Sequence, residues 1–344
     1  MKAGIVTFTH GTNYGQRLQN LATQRLLESY GITALTIPQI DPFSRMSHRI
    51  KKVIRKILLA RRSILEFERK KMFDKFNLLY IKFDDNRKYE DYDVFFAGSD
   101  QIWNPYSPYV GEMEFLQFVP KEKRIAFSPS FSVDSIPVEK REKYREYING
   151  FLYLSVREDK GATIIKELTG RNATVLIDPT LMIDTDSWRN IERKPHHELP
   201  KQYIVTYLLG NADFSEEINN ISRKLNLPVV DLKKACWYKT GPDEFLYIIS
   251  HSSYVLTDSY HGTIFSILFR KQFRNFHRKS KGYNMGNRFD TLYSKLNIDR
   301  GSITMLNNIG EIVNYNQIYN KLELERIHAK RYLEKCINYY MHRN

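Results

Sequence analysis

The stretch 257–269, TDSYHGTIFSILF, joins a polar turn to an unbroken apolar run, with one histidine at the junction. Asp258 and Ser259 are good helix N-caps, and Gly262 permits close backbone approach. Thr263 to Phe269 reads as an apolar helix. Free amides at a helix start, aligned with its dipole, attract an anion. Asp258, Ser259, Gly262 and Thr263 are therefore candidates for holding one. His261 could donate to a bound phosphate or move a proton near neutral pH. A plainer reading competes: Asp258 or Ser259 only caps the helix, and His261 is a satisfied loop residue.

Other polar loops invite the same two-sided reading. HGTNYGQRLQN (10–20) is not the GxGxxG of a dinucleotide site. It is an ordinary strand–helix turn, or a glycine-bearing wall where Asn13, Tyr14 and Gly15 approach a sugar or phosphate. In GSDQIWNP (98–105), Asp100 and Gln101 suit hydroxyl groups and Trp103 suits a sugar ring. The alternative makes Trp103 core filler between domains. Arg157 in SVRED and Arg288 in NRFD can bind carboxylate or phosphate in bidentate fashion. Otherwise Arg157 pairs at the surface with Glu158 or Asp159. His196–His197–Glu198 matches no usual metal spacing, so no metal site is expected.

These residues need elements to position them. A strand at Ala3–Phe8, a helix with Leu18, Leu21, Ala22, Leu26 and Leu27 on one face, and a strand at 32–37 make a strand–helix–strand unit. Further strands are expected at 93–97, 124–128, 152–156 and 174–177, with helices near 138–149 and 159–169. Each strand runs into a polar or glycine-bearing loop, and in open α/β sheets ligands gather at such carboxyl ends. The segment 188–201 reads as a linker. Alternation resumes with strands at 203–209, 229–232, 254–257 and 274–276, and helices at 214–225, 242–251 and from His261. The expected division is 1–187, 202–309 and a helical tail, 310–344.

Residues 49–71, RIKKVIRKILLARRSILEFERKK, hold ten Lys/Arg and two Glu, a net of +8 out of +14 for all 344 residues. Ile50, Val53, Ile54, Ile57 and Leu58 recur at helical spacing, so this is a basic amphipathic helix. The charge points to acidic partners: nucleic acid, an anionic membrane or a phosphorylated small molecule. Its concentration in one segment, and the lack of a nucleic-acid module, argue against nucleic acid. Two distant cysteines, Cys236 and Cys336, make a disulfide framework unexpected and a reducing compartment the default. No run approaches 18 apolar residues, and the start reads as a strand rather than a targeting segment.

Taken in order, FTHGTNYGQRLQN, FFAGSDQIWNP, LSVRED, LIDPTLMI, TDSYHGTIFSILF and NRFDTL resemble the polysaccharide pyruvyl transferase family, from about Lys2 to Arg300. The resemblance implies an α/β, GT-B-like fold. Two Rossmann-like domains would face a central cleft, with a C-terminal helix returning to the first. It implies transfer of pyruvate from phosphoenolpyruvate onto two sugar hydroxyls, giving a cyclic ketal. By resemblance, His261 with Ser259 and Gly262 of its turn, Arg157 and Arg288 serve the donor; the 258–263 turn as a whole, with Asp258 and Thr263, could add helix-start groups around it. On chemical grounds Asp100, or alternatively Asp258, would act as base or orient the acceptor, which Asn13, Tyr14, Gly15, Gln101 and Trp103 would contact. Tyr260 stands where phenylalanine is common. No cofactor is expected. A lipid-diphosphate-linked acceptor would place the enzyme in the cytoplasm, peripheral at the inner membrane face and held by 49–71. The competing enzyme class is a GT-B glycosyltransferase using a nucleotide sugar.

Overall fold

The computed structural model describes residues 1–39, 60–84, 86, 88–278, 286–299 and 313–341. Strands β1 (Lys2–Val6), β2 (Thr33–Thr36), β3 (Val94–Ala97) and β4 (Arg124–Ala126) form a parallel sheet of order β2-β1-β3-β4. A bridge from Ile125 to Tyr153 ties its edge to a parallel pair, β5 (Ser155–Val156) and β6 (Thr174–Val175). The second parallel sheet has the order β10-β9-β7-β8: β7 (Ile204–Tyr207), β8 (Val229–Asp231), β9 (Tyr254–Thr257) and β10 (Gln272–Asn275). Inner strands such as VFFA and IVTY are buried throughout, as parallel strands covered on both faces must be. The strand order reverses between β1 and β3 and again between β7 and β9. Each reversal opens a crevice at the carboxyl ends.

Helix α1 (Tyr14–Glu28) follows β1 and α2 is Ala60–Tyr80. Then come α3 (Arg141–Asn149), α4 (Asp159–Thr169), α5 (Pro179–Met182), α6 (Thr185–Arg189), α7 (Ser215–Leu225), α8 (Ala235–Tyr238), α9 (Pro242–His251), α10 (Tyr260–Leu268), α11 (Asn287–Leu296) and α12 (Tyr315–Met341). One apolar cluster runs from Ile5 and Phe96 of the first sheet through Leu18, Trp188, Phe245 and Phe265 to Val205 and Val255 of the second. The two domains thus share an apolar seam. The outer faces have their own cores, under α3 and α4 on the first sheet and under α7 on the second. The linker expected at 188–201 begins too early. Trp188 ends no domain: it is fully buried in α6, its indole N–H donates to the Thr180 carbonyl (3.1 Å), and it meets Phe265 edge-on.

Helix α12 starts on the second domain, where the Tyr319 hydroxyl donates to the Leu268 carbonyl (2.6 Å). It ends on the first, where the Tyr332 hydroxyl donates to the Ala126 carbonyl (2.8 Å). Between them Arg326 donates to the carbonyls of Leu181 and Ile183 (2.7 and 3.0 Å). Of the basic segment, 49–59 lie outside the described residues, and so do 310–312 and 342–344 of the tail. The described part of the basic segment opens α2, which runs on to Tyr80. Not all of it faces water: Arg69 is 5 % exposed and Phe73 and Phe76 are buried.

Candidate active site

The turn after β9 is built by capping. The Ser259 hydroxyl accepts from the Gly262 amide (3.3 Å), and the Ser259 carbonyl accepts from the Thr263 amide (3.0 Å). Two of the amides expected to meet an anion are thus already bonded. Asp258 is occupied as well. Its two oxygens accept from the Leu209 and Gly210 amides (2.5 and 2.7 Å), lacing β9 to β7 at the strand-order reversal. It is a brace, which corrects its expected place among donor-binding groups. Thr263 holds the Ser259 carbonyl (3.1 Å) and accepts from Asn275 (2.9 Å), and a Cβ on Gly262 would come 2.5 Å from the Thr257 hydroxyl. Both serve packing, a second correction. The caps instead present Tyr260 and His261 to the seam.

Across the seam the first domain offers Arg157, Asp178 and Asp100, from the ends of β5, β6 and β3. Arg157 is 1 % exposed and its Nη1 donates to Asp178 Oδ2 (2.6 Å). The same oxygen lies 3.5 Å from His261 Nε2 and accepts from the Ser99 hydroxyl (3.3 Å). Asp178 Oδ1 accepts from the amide and hydroxyl of Thr180 (3.0 and 2.6 Å), as the N-cap of α5. Burial opposes a charge on Asp178, but His261, Arg157 and Thr180 outweigh it and hold the carboxyl well below its usual range. Burial likewise opposes the Arg157 charge, and Asp178, Tyr260 and Asp100 raise its pKa regardless. Arg157 pairs with neither Glu158 nor Asp159. Glu158 is buried and accepts from Ser130, Phe131 and Ser132, and Asp159 binds Thr291 of α11.

Helix α11 brings a second guanidinium. Asn287 donates to the Val133 carbonyl (2.9 Å), seating α11 on the first domain. Arg288 then lies over the Tyr260 ring, 5.3 Å from its centroid, with Arg157 over the same ring at 4.5 Å. Arg288 is 4 % exposed, and burial, then the like charge of Arg157, push its pKa down to about 10. Among the described residues Arg157 Nε and Nη2 and Arg288 Nε have no hydrogen-bond partner. Asp100 Oδ1 is 3.8 Å from Arg157 Nη2, beyond hydrogen-bond reach. Buried donors without partners cost free energy unless a ligand fills them. The chemistry of the set calls for an anion with several oxygens.

Gly15 completes the contact. A Cβ there would stand 1.9 Å from His261 Nδ1, so only glycine lets α1 close against the imidazole. Asn13 caps α1 and is half-buried, as is Gln101 beyond β3. Two expected acceptor contacts are not on the cleft. Trp103 is fully buried, stacked on Phe115 at 5.1 Å with its N–H on the Glu114 carbonyl (3.2 Å). An indole among so many aromatics gains more from burial there than on a rim. Tyr14 is also fully buried, stacked on Phe245 and Phe73 (4.4 and 5.3 Å). Arg69 Nη1 donates to its oxygen (2.9 Å), and Thr240 Oγ1 lies 2.6 Å away. It bolts the domains together. Asp178, missed as a site residue, had a legible sign: in LIDPTLMI an Asp precedes a proline where a helix can start. Its neighbours Arg157 and His261 lie far off in sequence, and no local pattern shows them.

A family model described as polysaccharide pyruvyl transferase matches residues 13–280. No curated protein matches the chain significantly. Among solved structures, the chain is similar to the UDP-GlcNAc 2-epimerase from Neisseria meningitidis bound to UDP-GlcNAc, with TM-score 0.51, 11 % identity and 100 % of both chains covered. It is also similar to the UDP-N-acetylglucosamine 2-epimerase from Rickettsia bellii, with TM-score 0.50, 9 % identity, and 98 % of this chain and 97 % of that one covered. At these identities the likeness shows the fold alone: two Rossmann-like domains in the GT-B arrangement.

Proposed function

Because the chain belongs to the polysaccharide pyruvyl transferase family, we propose that it moves pyruvate from phosphoenolpyruvate onto two hydroxyls of a sugar in a cell-surface polysaccharide or its lipid-linked precursor. The observation that carries this reading is the pair of buried guanidinium groups over one tyrosine ring, with donors left open. Phosphoenolpyruvate has a carboxylate and a phosphate close together, and two guanidiniums can meet both.

One sugar hydroxyl adds to C2 of the enol while C3 takes a proton. The bond from C2 to the phosphate oxygen breaks, inorganic phosphate leaves, and the second hydroxyl adds to C2 to close the ketal. Of the two protons the hydroxyls lose, one ends on C3 and one on phosphate. Arg157 and Arg288 bind the donor. His261, 3.5 Å from Asp178, delivers a proton, and Asp100 takes one from the acceptor. Asn13 and Gln101 face the sugar. No metal or cofactor is assigned a step. The acceptor is carried on a lipid diphosphate at the inner membrane face, where each surface-near Lys or Arg of 49–71 contributes about 1 kcal/mol of attraction to anionic lipid.

The test is phosphate release from phosphoenolpyruvate with lipid-linked acceptors. His261→Ala and Arg157→Ala should each lower turnover about 100-fold or more; near-normal rates in both would overturn the site. Thermal-shift measurements separate the competing class, since stabilisation by a nucleotide sugar and not by phosphoenolpyruvate would favour a glycosyltransferase.

A further inference from the structure

Helix α2 has two apolar sides, and only one of them is covered. Inward, Arg69, Phe73 and Phe76 are buried. Arg69 grips both domains: it donates to Tyr14 Oη (2.9 Å) and the Thr12 carbonyl (3.0 Å) of the first, and to the Tyr238 carbonyl (2.7 Å) of the second. The helix is therefore fixed, and its outer side cannot roll inward. On that outer side Ile64 and Phe67 are each 58 % exposed, Leu78 87 % and Leu79 56 %. Together with Lys71 and Lys75, also exposed, Ile64, Phe67 and Leu78 fall at 64, 67, 71, 75 and 78. That spacing makes one stripe along a helix, about 20 Å long. Four of the nine large apolar side chains exposed among the described residues sit on this one helix, which is concentration rather than the usual scatter.

We propose that this stripe is a bilayer-docking surface, lying flat with Ile64, Phe67 and Leu78 in the acyl boundary and Lys71 and Lys75 on lipid phosphates. The arrangement has the pattern of an interfacial helix: apolar ends, a cationic middle. Lys71 Nζ sits 4.6 Å from the Phe67 ring, so its stem covers apolar surface while its head stays polar. Of the nearby acids, Asp74 pairs with Lys70, Glu68 lies 3.6 Å from Lys71, and Glu66 accepts from the Tyr238 hydroxyl (2.7 Å). The eleven residues before α2 in sequence, 49–59, add five Lys/Arg and no acid. A second copy of this chain fits less well. Two such stripes related by a two-fold axis would set lysine against lysine at the centre. An anionic lipid surface meets every lysine favourably.

The inference builds on the membrane placement proposed above and specifies it. Thr12, held by Arg69, belongs to the loop that leads to Gly15, which closes against His261. One helix diameter, about 10 Å, then separates the lipid surface from this loop. A lipid-linked sugar would reach the pocket without leaving the bilayer.

The experiment is flotation of the full chain with phosphatidylglycerol-containing vesicles and with pure phosphatidylcholine vesicles, with no donor or acceptor present. The wild type should float with the anionic vesicles. Ile64→Glu/Phe67→Glu should float at least tenfold less, and Lys71→Glu/Lys75→Glu should lose binding most at low salt. The substituted side chains are exposed, and unchanged melting temperatures certify the fold. Failure of the wild type to bind removes the membrane placement and the stripe together. Equal binding by wild type and Ile64→Glu/Phe67→Glu leaves placement by charge and overturns the stripe. A dimer in solution that the same variant turns into monomer assigns the stripe to a second copy and also overturns the proposal. None of these outcomes bears on the phosphate-release assay.

Discussion

Arg69 and Arg157 are both buried arginines lying over a tyrosine ring at the seam between the domains. Arg69 stands 4.6 Å over Tyr14 and Arg157 stands 4.5 Å over Tyr260. The difference is in the nitrogens. Arg69 donates to Tyr14, Thr12 and Tyr238, and none of its nitrogens is among the unpartnered donors. Arg157 has one bonded nitrogen, on Asp178, and two without a partner. A second guanidinium, Arg288, shares the Tyr260 ring and raises the local positive charge further. The same residue pair thus makes a closed joint in one place and an open anion site in the other. Satisfaction of donors, more than residue type, separates structure from function here.

The largest effect should come from Asp178, whose carboxylate is the close counter-charge of the open site. Asp178→Asn leaves Arg157 buried without its partner and should cost about 3–5 kcal/mol in denaturant unfolding. The acid limb sharpens the point. The folded carboxyl is held below its unfolded value, so its contribution is complete above about pH 4 and is lost as pH falls toward the folded value. The wild type should therefore lose stability below about pH 4 more steeply than Asp178→Asn. Parallel acid curves would show that Asp178 is not the charge that holds this region.

The next comparison exchanges arginines for methionine. Arg69→Met should cost about 3 kcal/mol, because three acceptors at the joint lose a charged donor at about 1 kcal/mol each. It should leave donor affinity unchanged. Arg288→Met should do the reverse. It removes a buried like charge beside Arg157, so stability should hold or rise, while phosphoenolpyruvate affinity should fall at least tenfold by calorimetry. If Arg288→Met destabilises as much as Arg69→Met, the contrast between closed and open joints collapses.

The strand–helix alternation was legible in the sequence because apolar periodicity is local. Helices expected at 159–169 and 242–251 are α4 and α9 residue for residue. The turn at 257–263 was legible as a cap for the same reason. What periodicity could not show is which side of a loop faces the partner domain. Trp103 and Tyr14 look like sugar-stacking residues by type, and both are consumed by aromatic cores. Asp258 looks like a donor ligand and is spent on two amides just past β7, 49 and 48 residues away. Conversely, Asp178 gathers His261 and Arg157 only because β5, β6 and β9 end together. Long-range assembly, invisible to spacing, decides these cases.

The smallest effects test the two rings with one atom each. Tyr14 places its hydroxyl between Arg69 and Thr240, so it receives one bond and can pass another on. Tyr14→Phe strips that oxygen and leaves a buried guanidinium short of an acceptor, for a cost of about 1–2 kcal/mol. Both cation contacts of Tyr260 are to its ring. Tyr260→Phe keeps that ring, and with it the separation of the two guanidiniums, so stability should change by less than about 0.5 kcal/mol. Turnover should stay within about threefold. Tyr260→Leu removes the ring face, brings two like charges nearer each other without it, and should weaken the donor site far more than Phe does. A large loss of turnover in Tyr260→Phe at unchanged stability would make the hydroxyl, rather than the ring, the working part of this residue.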